Sequence, residues 1–324
     1  MRLSIIKKRV AYYAIASVLI LISIVAGFVL PLNFGIDMTG GTQSEYDYTN
    51  SVDIAAVKAD VESIKKTVLF NGKEVINTTS IYTVSGEKKF VVEAGFSRVE
   101  GLNDADFGKL KTEFKEKLSA SKSVNGATLS KYVDVGESFG DYIKKTAYMT
   151  LALVIAAISC YIAYAFRGTI AGYSSFSFGV VTAASLFHDV IIAFGFYVIA
   201  SAVFPEYKID TFFITAMLTV LGYSINDTIV VMDRIRSNLR LPESRKMDLG
   251  VVIDNSINDT MARSLFTSLT VFLTLLAMFY FGPEAIKGFT LALLFGTIVG
   301  TYSSVFIAAP LLYDITKNKA VAAK

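Results

Sequence analysis

Six long runs of apolar residues, separated by polar segments, dominate the pattern of the chain. Each run approaches or exceeds the roughly 20 residues that a helix needs to cross the hydrocarbon core of a bilayer. We therefore predict a polytopic α-helical membrane protein with six spans, at about residues 10–30, 146–166, 176–203, 209–232, 260–281 and 286–312. The first run follows MRLSIIKKR, and PLNFGID after it offers no A-x-A-like cleavage site, so this run is expected to stay as a span.

Residues 35–140 interrupt this pattern with a polar segment long enough for a small domain. Alternating apolar and polar positions predict strands at GTQSEYDY, VINTTSIYTVS, KKFVVEAG and ATLSKYVDV, with a turn at 85–87. Apolar residues spaced three and four apart predict one helix capped by Ser51 and a second capped by Asn103 or Asp104. The order β-α-β-β-α-β is that of a ferredoxin-like unit. The segment has no nucleophile motif, metal cluster or phosphate loop, so we interpret it as a binding domain rather than an enzyme.

The composition supports the membrane class and removes several kinds of chemistry. Of the 324 residues, 53% are hydrophobic and 18% are charged, and the mean hydropathy is +0.52. This apolar excess is too large for a soluble domain of this length. The formal net charge of +3 gives no basic field for a nucleic acid partner. One cysteine, Cys160, and one histidine leave little room for disulfide, metal or triad chemistry, so no cofactor or metal is expected.

Lys and Arg are concentrated on one side of the predicted membrane. They precede span one, follow span two, fill the loop between spans four and five and end the chain, whereas the short loops on the other side hold only Lys208 and Lys287. By the positive-inside rule, both termini are expected in the cytoplasm. The predicted domains are 1–34 for the N-terminus and first span, 35–140 for an external (periplasmic) α+β domain, 141–315 for a five-helix bundle with a cytoplasmic loop at about 233–257, and 316–324 for a cytoplasmic tail.

The stretch SINDT occurs twice, at 224–228 inside span four and at 256–260 near the start of span five. An ionised Asp at the centre of a spanning helix costs about 2.5–3.5 kcal/mol on insertion scales, so such residues tend to face a bundle interior or a water-filled cavity. Asp227 fits this description, and the adjacent Asn226 and Thr228 can hydrogen-bond a neighbouring helix or water. The alternative is a shallow Asp near the cytoplasmic end of its span.

Arg263 is a second charge within the apolar runs. Because spans four and five run antiparallel, Arg263 and Asp227 are expected at similar depths and can face each other. Such a pair would hold Asp227 ionised, and release of Arg263 would let the carboxylate take up a proton. The alternative is an arginine that snorkels to the cytoplasmic interface.

Two further polar features have plainer interpretations. Asp259, in the second SINDT copy, fits a capping cluster at the mouth of span five, with Ser256 or Asn258 as the cap. The pair His188-Asp189 lies in another apolar run. It fits either a pH-sensitive relay or a hydrogen-bonded pair that fixes helix packing, and Asp189 is the better candidate for a residue at a water-filled cavity.

Three stretches carry a resemblance to a known family. FGIDMTGGT after the first span, LGYSINDTIVVMDRIR in the fourth and IKGFTLALLFGTIVGTYSSVFIAAPLL in the sixth resemble the SecF family, the smaller half of the bacterial SecDF translocation factor in the RND superfamily. The resemblance covers the membrane portion nearly end to end. It marks Gly35, Asp37, Gly40 and Gly41 as the family's motif after helix 1.

The resemblance implies a non-enzymatic subunit of the bacterial inner membrane, surrounded by lipid. The subunit would pair with SecD beside the SecYEG channel, with YajC and YidC as further candidate partners. Proton flow would drive movements that help to pull preproteins outward. The family's intramembrane acidic residue falls on Asp227 and its arginine on Arg263, while Asp259 stands where the family often has Gln.

Other classes of function stay open at this point. An RND-type exporter of lipids or small hydrophobic molecules would also place charged residues within its membrane spans, but it needs larger external domains than residues 35–140 provide. A scaffold without ion coupling would use Asp227 and Arg263 as a structural pair. An intramembrane enzyme finds least support, because the chain has a single histidine and no nucleophile elbow.

Overall fold

Six long apolar helices and a small α+β domain make up the computed structural model, which describes residues 3–49, 51–84, 86–124, 126–167 and 175–322. The candidate membrane spans are Ile6–Val29, Ser138–Ala165, Phe176–Val203, Thr211–Leu239, Leu249–Phe281 and Glu284–Thr316. These segments confirm the predicted six-helix membrane protein. Part of the predicted turn at 85–87, namely Ser85, lies outside the described residues.

The helices are labelled in chain order. They are α1 (Arg9–Val29), α2 (Ile36–Thr39), α3 (Ile54–Lys65), α4 (Asp104–Ser119), α5 (Glu137–Ala165), α6 (Ser175–Val203), α7 (Thr211–Leu239), α8 (Leu249–Phe281), α9 (Lys287–Ser303) and α10 (Ala309–Ala322). Five of the spans are formed by α1 and by α5 to α8, and α9 and α10 together form the sixth.

Helices α7 and α8 are longer than the bilayer core requires. With 29 and 33 residues, they extend about 44 and 50 Å, against a hydrocarbon core of about 30 Å. Because α7 ends at Leu239 and α8 begins at Leu249, most of the segment 233–257, expected as a loop, is helical. A 3-10 turn, Pro242–Lys246, lies between the two helices. Asp248 then caps α8 by accepting a hydrogen bond from a backbone amide of its first turn.

The sixth span contains a π turn, Ser304–Ala308, between α9 and α10. Pro310 follows this turn and has no backbone N–H to donate to the carbonyl of Phe306, four residues earlier. The wider π turn accommodates the missing donor, so the helix continues without a break.

Glycines let the helices of the bundle pack closely. Gly296 and Gly300 of α9 face α7, where added Cβ atoms would lie 2.0 Å from Val220 and 2.9 Å from Ser224. Because α7 and α9 approach so closely, short side chains such as serine can hydrogen-bond across the interface.

The α+β domain is a compact unit of Asn33–Ala147 with Val203–Thr211. Its strands are β1 (Gly41–Tyr48), β2 (Leu69–Phe70), β3 (Lys73–Glu74), β4 (Ile76–Val84), β5 (Lys89–Phe96) and β6 (Ala127–Val135). Four of them form an antiparallel sheet in the order β4-β5-β1-β6. The sequence predicted these four to within a residue at each end. It missed the separate hairpin of β2 and β3.

Helices α3 and α4 bury the apolar residues whose spacing predicted them. Val57 and Val61 of α3, for example, are both fully buried. Asn103 caps α4 as predicted, by accepting a hydrogen bond from a first-turn amide. The prediction of Ser51 as the cap of α3 was wrong. Asp53 fills this role, because α3 begins directly after it.

The connector, Val203–Thr211, joins α6 to α7 and belongs to the α+β domain. Its Ile209 forms a parallel bridge with Phe34, and the Ile209 amide donates to the carbonyl of Asn33 at 2.8 Å. The connector is therefore held by backbone hydrogen bonds to the segment that follows α1.

Lys208 is a buried lysine of the connector. Its ammonium bonds the carboxylate of Glu93 on β5, and the two side chains are 6% and 8% exposed. It also lies 5.3 Å from the ring centre of Tyr82. Burial lowers the pKa of Lys208 from 10.5 to about 7, against an opposing effect of the Asp210 carboxylate. In the folded domain this lysine therefore releases its proton far below the pH at which it does so in the unfolded chain.

The stability of the α+β domain is expected to rise between pH 7 and about pH 10. In this window the unfolded lysine holds a proton that the folded one has released, so each pH unit favours the folded state by up to about 1.4 kcal/mol. Pulse proteolysis of the full-length chain in urea at several pH values measures how steeply the free energy of unfolding of the domain rises with pH. The Lys208→Met variant lacks the titrating group, so its slope should be smaller. Equal slopes in both chains would contradict the lowered pKa.

Candidate functional site

Helix α7 carries the first SINDT copy into the interior of the bundle. Asp227 is 4% exposed and has helical residues on both sides of it from Thr211 to Leu239. The hydroxyl of Ser268 on α8 donates a hydrogen bond to Asp227 Oδ2 at 3.1 Å. Thr228 donates to the carbonyl of Ser224 on its own helix at 3.2 Å. Asp227 is thus buried between α7 and α8.

The sequence neighbour of Asp227 and the arginine of the next helix are both exposed on this chain. Asn226 precedes it on α7, and Arg263 lies on α8. Arg263 acts electrostatically on the Asp227 carboxylate. Within the described part of the chain, however, no ion pair joins the two residues. The sequence left open whether Asp227 and Arg263 face each other, and the structure shows the two residues without an ion pair between them.

Asp189 on α6 is the centre of a second buried cluster. One carboxylate oxygen lies 2.8 Å from His188 Nδ1. The other accepts hydrogen bonds from the hydroxyls of Ser303 on α9, at 2.9 Å, and Ser224 on α7. The hydroxyl of Tyr302 lies 2.5 Å from His188 Nε2. The cluster therefore joins three spans, and Ser224 brings the first SINDT copy into it.

The direction of these hydrogen bonds follows from the chemistry of the groups. An ionised carboxylate can only accept, so His188 donates to Asp189 through Nδ1, and its Nε2 shares a hydrogen bond with the Tyr302 hydroxyl. Three donors then converge on Asp189. This arrangement is that of a hydrogen-bonded cluster that fixes the packing of three helices.

The two buried carboxylates differ in how fully they are hydrogen-bonded. Three donors satisfy Asp189, whereas Ser268 is the side chain that donates to Asp227 at normal hydrogen-bond distance. Asp227 therefore retains more capacity to bind a proton or a water molecule. Among the described residues, no three His, Cys, Asp or Glu side chains are grouped so that they could hold a metal ion.

The second SINDT copy lies inside α8 rather than at its mouth. Because α8 begins at Leu249, the prediction that Ser256 or Asn258 caps this helix was wrong. Asp259 instead forms an ion pair with Arg234 of α7 at 2.7 Å, and both side chains are at least 40% exposed. The second copy thus cross-links two helices near their polar ends.

The same part of α8 holds the N-terminus of the chain. Asn258 accepts from the amide of Leu3 at 2.8 Å and donates to its carbonyl at 2.9 Å. One turn earlier, Asp254 Oδ1 accepts from the amides of Ile5 and Ile6, each at 2.9 Å. These amides begin the first helical turn of the chain, where a carboxylate is favourable.

The motif expected after helix 1 lies in the α+β domain. Asp37, in α2, accepts hydrogen bonds from the backbone amide of Thr211, at 2.6 Å, and from its hydroxyl. Thr211 is the first residue of α7. Since Asp227 follows 16 residues later, the two positions are about 24 Å apart along the helix. Asp37 therefore contacts the first residue of α7 and not the part of that helix that carries Asp227.

Sequence reasoning found the charged residues but missed their hydroxyl partners. Ser268 and Ser303, together with Tyr302, complete the two buried clusters. A weak signal was available, since Ser264 and Ser268 are four residues apart in a run that is otherwise mostly apolar.

Removal of the Asp254 carboxylate is expected to release the N-terminal residues. Asp254→Ala leaves the amides of Ile5 and Ile6 without their acceptor, a loss of about 1–3 kcal/mol. Trypsin should then cleave after Lys7 faster than in the parent chain, as measured by mass spectrometry of the full-length protein in detergent. Asp259→Ala is the matched control, because its ion pair is exposed and contributes little. Equal cleavage rates in the two variants would mean that other contacts hold the N-terminus.

Two family models match this chain. The model described as "Protein export membrane protein SecD/SecF, C-terminal" matches residues 114–318, which is more than half of the chain. The model described as "SecD/SecF GG Motif" matches residues 25–52, which include the glycines after helix 1.

Similar proteins and structures agree with these models. The protein translocase subunit SecF of Calditerrivibrio nitroreducens is 32% identical over 94% of this chain and 91% of its own length. The corresponding subunit of Sebaldella termitidis is 33% identical over 98% of this chain and 94% of its own length. The protein translocase subunit SecDF of Thermus thermophilus is 32% identical over 93% of this chain, which spans only 37% of that longer protein.

A solved structure gives the same result. The crystal structure of SecDF from Thermus thermophilus, described as a translocon-associated membrane protein, matches with a TM-score of 0.75 and 29% identity. The match covers 98% of this chain and 39% of the SecDF chain. The chain therefore belongs to the SecD/SecF family and is, within it, a SecF-type protein translocase subunit of protein export.

Proposed function

We propose that this subunit pairs with a SecD-type partner in the inner membrane and uses the proton motive force in late, outward steps of preprotein export. Asp227 takes up the proton. The observation that carries the proposal is a carboxylate buried in an apolar helix with one hydroxyl donor, Ser268, at normal hydrogen-bond distance. The SecYEG channel is the proposed site of action, with YajC and YidC as further candidate partners.

Asp227 is the better proton carrier of the two buried carboxylates. Protonation of Asp189 would oppose three donated hydrogen bonds at once. Protonation of Asp227 disturbs the hydrogen bond from Ser268, and a positive charge such as that of Arg263 on the neighbouring helix would oppose protonation by its electrostatic attraction. Movement of Arg263 relative to Asp227 would therefore change how readily the carboxylate takes up a proton.

Exposed polar residues within the spans support a partner. Arg263 and Asn226 are exposed on this chain. An arginine deep in a spanning helix costs about 2.5–3.5 kcal/mol on insertion scales if lipid surrounds it. A SecD-type partner packed on α7 and α8 would remove this cost and would complete the proton path. The Thermus thermophilus relative, which is named SecDF, is long enough to carry such a partner in the same chain.

The positions of the basic residues support an orientation with both termini and Pro242–Lys246 in the cytoplasm, and with the α+β domain outside. A proton that crosses the whole field in this arrangement releases about 2.3 kcal/mol per 100 mV. A few protons per cycle can therefore bias a conformational equilibrium strongly.

Asp227→Asn and Arg263→Met are each expected to remove the gradient-dependent component of export. Both substitutions keep the size of the side chain roughly constant and remove its charge. Export of a preprotein into inverted membrane vesicles, with the variant and its SecD-type partner coexpressed, measures the effect with and without an imposed proton gradient. The expected result in both variants is export at the rate seen without a gradient.

Asp259→Asn provides the matched control, since it removes a carboxylate from α8 whose ion pair with Arg234 is exposed. It should keep the response to the gradient. If export by Asp227→Asn still responds to the gradient at normal levels of the subunit, ion coupling through this residue is excluded. The chain would then be better described as a scaffold for its partner.

Purified alone in liposomes, this chain is expected to show no proton conductance that depends on Asp227. The reason is that the partner supplies the other half of the path. A pH-sensitive dye inside the liposomes, read after a potassium diffusion potential is imposed, measures the conductance. A conductance that the parent chain shows and Asp227→Asn lacks would mean that the path is complete in one subunit.

A further inference from the structure

We propose that Asp37 is a positioning residue that fixes the first turn of α7, the helix that carries Asp227. The inference rests on the proposed function, because it assigns to Asp37 an effect on gradient-dependent export. The residues 33–41, here named the GG segment, hold the Asp37 carboxylate in place.

The contact is made by a single carboxylate oxygen. Asp37 Oδ2 accepts from the amide of Thr211 at 2.6 Å and from the Thr211 hydroxyl. The first amides of a helix have no acceptor within the helix, and its N-terminus carries a partial positive charge. A carboxylate from outside the helix therefore satisfies both needs at the start of α7.

The GG segment and the connector are joined by a short series of hydrogen bonds. The amide of Gly35 donates to the carbonyl of Ile209 at 3.0 Å, and the Ile209 amide donates to the carbonyl of Asn33 at 2.8 Å. The side-chain amide of Asn33 donates to the carbonyl of Pro205, also at 2.8 Å. The residues just before α7 therefore cannot move independently of the GG segment.

Glycines let the GG segment approach its neighbours at backbone distance. Gly41 has a φ of +140°, and a Cβ there would lie 2.3 Å from the carbonyl oxygen of Ala94 on β5. A Cβ on Gly140, at the start of α5, would lie 2.6 Å from the carbonyl oxygen of Met38. These close approaches lock the segment against the sheet and against α5. This gives a physical reason for two residues of the motif: Gly41 allows the close contact with β5, and Asp37 accepts hydrogen bonds from the first residue of α7.

A second contact holds the connector at Lys208, the residue before Ile209. The Lys208 ammonium bonds the Glu93 carboxylate on β5, and the Tyr82 hydroxyl donates to the same carboxylate at 3.0 Å. The connector is thus fixed to the sheet by a buried side chain and to the GG segment by its backbone. Any displacement of the GG segment therefore acts directly on the first turn of α7.

Hydrogen exchange of the full-length chain, purified with its partner, tests the contact itself. In Asp37→Ala, the amides at the start of α7 should exchange about five- to tenfold faster, the factor that loss of a helix cap typically gives. Asp53→Ala is the matched control, because it removes a capping aspartate of α3 in the same domain. It should leave the start of α7 unchanged. Unchanged exchange in Asp37→Ala would overturn the proposal.

The export assay tests whether the contact positions α7 for function. Asp37→Ala and Thr211→Val should each lower the gradient-dependent component about threefold or more. The double variant should be no worse than Asp37→Ala alone, because the Thr211 hydroxyl bonds the same carboxylate that Asp37→Ala removes. Thr211→Ser keeps the hydroxyl and should restore export. Thr219→Val, which removes a hydroxyl that bonds only its own helix, should behave like the parent.

Asp227→Asn in the same assay separates this inference from the proposed function. If Asp227→Asn loses the response to the gradient while Asp37→Ala keeps it, the positioning role is excluded and the proposed function stands. If Asp227→Asn itself keeps the response, the proposed function fails. The exchange measurement then decides alone whether Asp37 fixes the start of α7.

Discussion

The constraint on which this structure depends is that polar side chains inside apolar helices must find partners in the protein itself. Asp189 satisfies this constraint because its carboxylate accepts hydrogen bonds from its own helix, from α7 and from α9. These bonds are short enough to form because Gly296 and Gly300 bring α9 against α7. The polar cluster and the glycine contacts therefore lie together in the bundle, since Ser224 takes part in both.

Periodicity predicted the elements well but their ends poorly. The strands β1, β4, β5 and β6 were found because alternation continues along each of them. The ends of α7 and α8 were missed because hydropathy falls where a helix enters the polar interface, although its hydrogen bonding continues. Helix α7 runs on to Leu239 through charged residues, and Asp248 caps α8 well before its apolar run begins. The capping residue therefore marks the start of α8 better than hydropathy does.

The charged members of the candidate site could be found from sequence because a charge in an apolar run is costly and therefore rare. The hydroxyl groups that hydrogen-bond these charged residues could not be found in this way. Ser268 and Ser303 cost little in an apolar helix, and only tertiary packing decides which of many serines faces a carboxylate. The orientation of Arg263 could not be predicted for the same reason. Antiparallel helices give it a depth similar to that of Asp227, but side-chain direction around each helix axis decides contact.

The two SINDT copies show why the chemistry of a motif depends on its surroundings. In both copies the serine and the aspartate are three residues apart on one helix, and both serines are buried. The first aspartate faces the hydroxyl of Ser268 in the bundle interior. The second faces Arg234 where water can reach both groups. Burial makes the charge of Asp227 expensive and therefore sensitive to nearby charge, whereas the Asp259 carboxylate is exposed to solvent and paired with an arginine. The same five residues thus provide a buried carboxylate in one place and a surface cross-link in the other.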